Sequence, residues 1–128
     1  MSSNRYDKMV DYIASLYNVF IMAKTKAEQK NDRKFQMISI VIYNYVSYMA
    51  KHNGVSLREI PIQESINLIP VFEYISVNNV ELYDFTNINP NDVDVSKTED
   101  LERYVLTHVY YITQDTPLNP LLGKVEQK

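Results

Sequence analysis

The amino-acid sequence predicts a mainly α-helical protein, a small bundle of four to five helices built on an N-terminal αα-hairpin. Two helical patterns, over residues 6–24 and 96–114, and an uncharged run at 35–50 between them carry this prediction. At 128 residues the chain has the length of one domain. We expect at most a short β element near residues 80–85 and an extended C-terminal arm.

The first helix is predicted from an amphipathic pattern. Its polar residues, among them Ser15 and Asn18, are expected to face solvent. The polar segment 23–34 should supply a solvated helix end and a turn, which would let the first two helices pack antiparallel. The apolar positions are Tyr6, Met9, Val10, Ile13, Leu16, Tyr17, Phe20 and Ala23 or Lys24.

The uncharged run is predicted to be the second helix. A membrane span needs about 20 predominantly apolar residues, whereas this run is shorter and is interrupted by four polar residues. A half-buried strand would alternate apolar and polar residues, but apolar residues occupy both the odd-numbered and the even-numbered positions of the run. Lys51 and His52 suit the last turn of a helix, and Asn53-Gly54 can close it. We expect this helix to cross the middle of the bundle or to lie partly at a subunit interface.

Short elements are predicted in the middle of the chain. A capping box at residues 56–59, with serine three positions before glutamate, can start only one turn because Pro61 follows it. Helical spacing resumes from Ile66 to Ile75. Because Pro70 would break one long helix, we expect a kinked or two-piece helix that ends at Asn78-Asn79.

Residues 80–85 alternate apolar and polar side chains and are the best strand candidate, although one strand would need a partner. The Asn-rich segment after them invites comparison with a calcium loop, in which Asn87, Asn89 and Asn91 would be the first three ligands. Asp92 stands where such a loop needs glycine, and the twelfth position lacks glutamate. We therefore predict an Asx-rich turn rather than a metal site.

The last helix is predicted to begin at a second capping box, residues 96–99, and to end near Gln114. Its expected buried face comprises Leu101, Tyr104, Val105, His108, Val109 and Ile112.

The tail, residues 116–128, contains two prolines and has no helical period. Its leucines need a surface to cover them, so the tail either folds back over its own helices or docks on a neighbouring subunit. We predict a single helical domain over residues 1–115, followed by this extended tail.

No catalytic or cofactor-binding signature is present in the sequence. The absence of cysteine excludes thiolate chemistry, and two glycines, Gly54 and Gly123, are too few for a phosphate-binding loop. His52 at a helix end and His108 on an apolar face are expected to be structural. The eleven tyrosines favour core packing, with a stacking or binding surface as the alternative. We predict a protein that is not an enzyme and binds no cofactor.

Charge differs between the two halves of the chain. Residues 1–60 contain nine Lys/Arg and five Asp/Glu, whereas residues 61–128 contain four and eleven. The halves should attract each other, within one chain or between subunits. A basic cluster could instead bind nucleic-acid phosphates or an acidic partner, although the net charge of −3 argues against nucleic acid. The cluster comprises Lys24, Lys26, Lys30, Arg33 and Lys34.

These features predict a non-catalytic assembly or protein-interaction protein that acts as a homo-oligomer, at least a homodimer. A nucleic-acid-associated accessory or regulatory protein that uses the basic 24–34 patch is the alternative. The candidate interface residues are Ile38, Val41, Ile42, Tyr45, Tyr48, Leu118, Leu121 and Leu122.

Ile, Asn, Tyr and Lys account for 44 of the 128 residues, and their codons are AT-rich. This bias is common in viral and phage genes and suggests a virus- or phage-encoded protein. The N-terminus lacks the apolar run of a secretory signal. We therefore expect a cytoplasmic protein, in the host cytoplasm or the virion if it is viral, with no membrane partner.

Overall fold

The computed structural model describes residues 2–63, 65–83, 94 and 96–114, without the side chains of residues 2–5, 34 and 111–114. The predicted helical bundle on an αα-hairpin is confirmed, and no strand occurs within these residues. The helices are α1 (Ser2–Lys30), α2 (Arg33–Asn53), α3 (Ile69–Val77) and α4 (Thr98–Gln114), with one 3-10 turn at Leu57–Glu59.

A two-residue turn joins α1 to α2. Helix α1 continues through most of the polar segment to Lys30, and Asn31 then adopts a left-handed conformation, with φ at 51°. The amide of Asp32 donates to the carbonyl of Ala27 over 3.2 Å, which completes a Schellman motif. The Asp32 carboxylate in turn accepts from the amide of Phe35 over 3.4 Å and caps α2. The short turn forces the two helices to pack antiparallel.

Two further helices end as the sequence predicts, each in a Schellman motif. At the end of α2, Gly54 has a φ of 68°, and the amide of Val55 donates to the carbonyl of Ala50. At the end of α3, Asn79 has a φ of 52°, and the amide of Val80 donates to the carbonyl of Ile75. Glycine and asparagine adopt this conformation at low cost, so both stops are local properties of the sequence.

Only the second half of the predicted Ile66–Ile75 helix forms. Helix α3 begins at Ile69, so Pro70 lies in its first turn, where a missing amide hydrogen costs nothing. The Asn67 side chain accepts from the amide of Ile69 over 3.1 Å and so favours a turn over a helix before this point. Ile66 and Leu68 are buried although they are not helical.

The described part of the strand candidate, residues 80–83, is irregular. It runs along α4 and bonds to side chains of that helix. The amide of Tyr83 donates to Oγ1 of Thr107 over 2.9 Å, and Nε of Arg103 donates to the carbonyl of Glu81 over 2.6 Å. These bonds satisfy backbone groups that a strand would pair with another strand.

Neither predicted capping box forms its side-chain bonds as expected. Ser56 makes no side-chain bond to the 3-10 turn, which is confirmed as a single short turn. The hydroxyl of Ser96 donates to the Asp94 carboxylate over 2.5 Å instead of accepting from the first turn of α4. That helix begins at Thr98.

The core lies between the inner sides of the helices, with α2 packed against both α1 and α4. The expectation that Ser15 and Asn18 face solvent is wrong. Both are buried because they hold the 61–67 segment against α1: Oγ of Ser15 donates to the Asn67 carbonyl, and Oδ1 of Asn18 accepts from the amide of Gln63, each over 2.7 Å. The apolar core comprises Tyr12, Ile13, Leu16, Val19, Ile42, Tyr45, Val46, Met49, Ala50, Ile66, Leu68, Val71, Val105, Leu106 and Val109.

Candidate interaction surface

Helix α2 presents two apolar faces. The inner face, which is buried in the core, comprises Ser39, Ile42, Tyr45, Val46, Met49 and Ala50. Successive helical residues turn by about 100°, so positions 37, 40, 44 and 48 fall on the opposite side. The outer face comprises Met37, Ile40, Asn44 and Tyr48, with the exposed Tyr43 at its edge.

The outer face is exposed in the single chain. Met37 is 59% exposed, Ile40 55%, Tyr43 43% and Tyr48 38%. No charged side chain interrupts α2 between residues 35 and 50. Scattered exposed apolar residues are ordinary, but a contiguous uncharged stripe on one helix face is typical of a binding surface.

A groove of about 680 Å³ lies beside the outer face, between α1 and α2. Part of its wall is aromatic: the Phe20 ring centroid lies 5.8 Å from that of Tyr17 and 5.0 Å from that of Tyr43. Its polar lining residues are Lys24, Glu28, Asn31, Gln36 and Ser39. Because Ile40 and Tyr43 belong to the groove and to the outer face, the two form one continuous surface.

The predicted basic cluster lies at the end of the hairpin, because the turn joins the end of α1 to the start of α2. Lys24, Lys30 and Arg33 are exposed, and Lys26 is half-buried. The side chain of Lys34 lies outside the described residues. Glu28 and Asp32 are interspersed among these cations, which reduces the local positive charge. The role of the cluster in nucleic-acid binding stays a prediction.

A partly buried polar cluster joins all four helices, each of which contributes one residue. The Glu102 carboxylate of α4 accepts from the hydroxyls of Tyr45 (α2) over 2.7 Å and Tyr74 (α3) over 2.6 Å. The Tyr12 (α1) and Tyr45 oxygens lie 2.8 Å apart. Because Tyr45 has one hydroxyl hydrogen and gives it to Glu102, Tyr12 is the donor to Tyr45. The rings of Tyr12 and Tyr74 also stack, with centroids 4.0 Å apart.

The electrostatics of this cluster favour a structural role. Burial is the main cause that raises the pKa of Tyr12, Tyr45 and Tyr74 above the ordinary value, and the Glu102 carboxylate raises each pKa further. The three phenols therefore stay neutral near pH 7 and serve as hydrogen-bond donors rather than as bases or nucleophiles. Tyr12 and Tyr45 are 1% and 0% exposed, which leaves no room for a substrate beside their hydroxyls.

His108 is a buried residue of α4. Its Nδ1–H donates to the carbonyl of Tyr104 over 2.9 Å, since a carbonyl can only accept. Burial lowers the pKa of His108 below its usual value of 6.5, although the bond to Tyr104 opposes this shift. The described residues contain no group of three or more histidine or acidic side chains that could hold a metal ion.

The structure separates the predicted interface residues into three groups. Ile42 and Tyr45 are enclosed in the core of their own chain and are not available to a partner. Ile38 and Val41 are half-buried, and Tyr48 is exposed. The interface itself stays a prediction. The tail residues Leu118, Leu121 and Leu122 lie outside the described residues.

Two features escaped prediction from the sequence. Met37, Ile40 and Tyr43 form most of the exposed face, and their three-residue spacing along one side of the helix could have indicated it. The tyrosine–glutamate cluster has no comparable signal, because the residues that its hydrogen bonds join are 28 to 57 positions apart in the sequence.

None of the described helices combines the length and apolarity that crossing a bilayer requires. No family model, curated protein or solved structure matches this chain.

Proposed function

We propose that this chain is a non-catalytic protein-interaction protein that assembles with further copies of itself through the outer face of α2. The observation that carries the proposal is the exposure of four large apolar side chains on one uncharged helix face. Covering apolar surface is favourable by about 25 cal/mol per Å². Large aromatic side chains and methionine are also the residue types enriched in protein interfaces.

The arrangement of the rest of the molecule supports a binding role over catalysis. A partly buried polar cluster ties the four helices together through three neutral phenols and one carboxylate. The exposed groove beside the outer face combines aromatic and apolar residues with polar ones, a lining that suits binding by burial and a few polar contacts. A rigid bundle that carries an apolar stripe can present that stripe to a partner without rearranging.

Light scattering coupled to size-exclusion chromatography tests the proposal. The wild-type protein is expected to form a dimer or larger assembly at tens of micromolar and to dissociate on dilution. Ile40→Glu would place a charge in the interface and should weaken association at least tenfold, which is about 1.4 kcal/mol. A strict monomer at tens of micromolar would overturn the proposal.

A matched variant separates interface effects from general effects of an added carboxylate. Val77 is 77% exposed and lies on α3, away from the outer face. Val77→Glu should therefore leave the association constant unchanged. Circular dichroism melts of both variants at low concentration check that the monomers stay folded, which is expected because both side chains are largely solvated.

The nucleic-acid alternative predicts a different outcome. An assembly bridged by DNA or RNA would dissociate on nuclease treatment and in high salt. An assembly formed through an apolar face should persist under both treatments, because burial of apolar surface is not screened by salt. Loss of the assembly with nuclease would favour the basic 24–34 patch as the functional surface.

A further inference from the structure

The groove between α1 and α2 has the character of a site for an extended segment. Its wall carries the three adjacent rings of Tyr17, Phe20 and Tyr43. Aromatic-lined grooves bind proline-containing segments well, because a polyproline II helix is already ordered and loses little entropy on binding. Such a segment would present a proline edge to the rings.

The chain itself contains a segment of this kind. Residues 116–122 read TPLNPLL and carry no charge. A polyproline II helix has three residues per turn, so Pro117 and Pro120 would form one edge, and Leu118 and Leu121 would form the next. The two edges together give an apolar strip that would pack on the aromatic part of the groove wall.

We propose that residues 116–122 of a second copy occupy the groove, so that two chains exchange their tails. The inference rests on the self-association proposed above and names a second part of the same interface. A two-fold dimer would make the exchange reciprocal, with each groove filled by the tail of the other chain.

Helix α4 lies on the wrong side of α2 for its C-terminal tail to fill the groove of its own chain. Tyr45 bonds to Glu102 of α4 whereas Tyr43 lines the groove. Because two helical residues differ by about 200° in direction, α4 and the groove lie on opposite sides of α2.

The link between α4 and Pro117, the first proline of the segment, is too short to pass round α2. The three residues from Gln114 to Pro117 span at most about 10 Å. One helix with its side chains is about 10–12 Å across. A groove on a second chain has no such restriction, so a second copy is the better source of the segment.

The area of the outer face also calls for a second contact. Its four apolar side chains are about half exposed, and at about 150–250 Å² for a large side chain they offer roughly 400 Å². A stable interface buries about 800 Å² on each partner. An occupied groove would extend the interface without a gap, because Ile40 and Tyr43 belong to both surfaces.

Photo-crosslinking in the full chain tests the inference. The photoreactive residue p-benzoylphenylalanine replaces Tyr43, and chains labelled with ¹⁴N and ¹⁵N are mixed and irradiated. Mass spectrometry should find position 43 joined to residues 116–122. Some of the cross-linked pairs should contain one ¹⁴N peptide and one ¹⁵N peptide, which shows that the two peptides come from different chains. A Pro117→Gly, Pro120→Gly double variant should lower the yield of this cross-link severalfold, because it removes the preformed conformation.

The same photoreactive residue at Val77, which is exposed outside the groove, is the control and should not label residues 116–122. Cross-links within one chain, or none to the tail, would overturn the inference. Light scattering on the same samples distinguishes the two proposals. A dimer without the tail cross-link contradicts the groove inference alone, whereas a monomer contradicts the self-association on which it rests.

Discussion

The two faces of α2 have nearly the same chemistry and opposite surroundings. The inner face contains Ile42, Tyr45 and Met49, and the outer face contains Ile40, Tyr43 and Met37. Each set holds one isoleucine, one tyrosine and one methionine, yet the inner three are buried and the outer three are 43–59% exposed. The comparison teaches that apolar composition identifies the helix, whereas the neighbouring helices determine which of its faces forms the core.

Truncating one isoleucine on each face tests this comparison with the largest expected effect. Ile42→Ala removes a side chain that is 1% exposed and should lower the free energy of unfolding by about 2–5 kcal/mol. Ile40→Ala deletes the same atoms at an exposed position and should change the free energy of unfolding of the monomer by less than about 0.5 kcal/mol. Urea unfolding at low concentration measures both values. Equal losses would contradict the assignment of inner and outer faces.

The next largest effect is expected from removing the hydrogen bond between Tyr45, on the inner face of α2, and Glu102. Glu102→Ala removes the acceptor for Tyr45 and Tyr74 and should destabilise the fold by about 1–3 kcal/mol, because the buried hydroxyl of Tyr45 loses its partner. Glu102→Gln keeps an acceptor oxygen of similar shape and should cost less. Denaturant unfolding of the two variants is the measurement. If alanine and glutamine gave the same loss, the hydrogen bonds would not be the cause.

The smallest of these effects is a pH dependence on the α4 side of the core. Because burial lowers the pKa of His108, the unfolded chain takes up a proton as pH falls through about 6.5 while the folded chain stays neutral. Stability due to His108 is therefore complete above this pH and is lost as pH falls towards the lowered pKa. The slope of stability against pH should flatten in His108→Gln. A slope that stays unchanged in His108→Gln would show that another group takes up the proton.

Sequence reasoning succeeded where the signal was local. Gly54 and Asn78-Asn79 stop their helices as predicted, because left-handed conformations are available to these residues in any context. It was less successful for polar residues that have two candidate partners. The Ser96 hydroxyl bonds to Asp94 rather than capping α4, and Asn18 bonds to the 61–67 segment rather than to water. In each case the side chain can form either of two hydrogen bonds of similar strength. The fold decides between them by placing one of the two partner groups within reach.

The sequence by itself determined that this chain is helical, that the run from 35 to 50 forms a helix, and where that helix and α3 end. These properties arise from spacing and backbone conformations within a few residues. Only the tertiary structure decided which face of α2 is covered, that Tyr12, Tyr45, Tyr74 and Glu102 meet, and that an aromatic groove opens beside the exposed face. Such outcomes depend on residues far apart in the chain, whose encounter is set by the packing of whole helices.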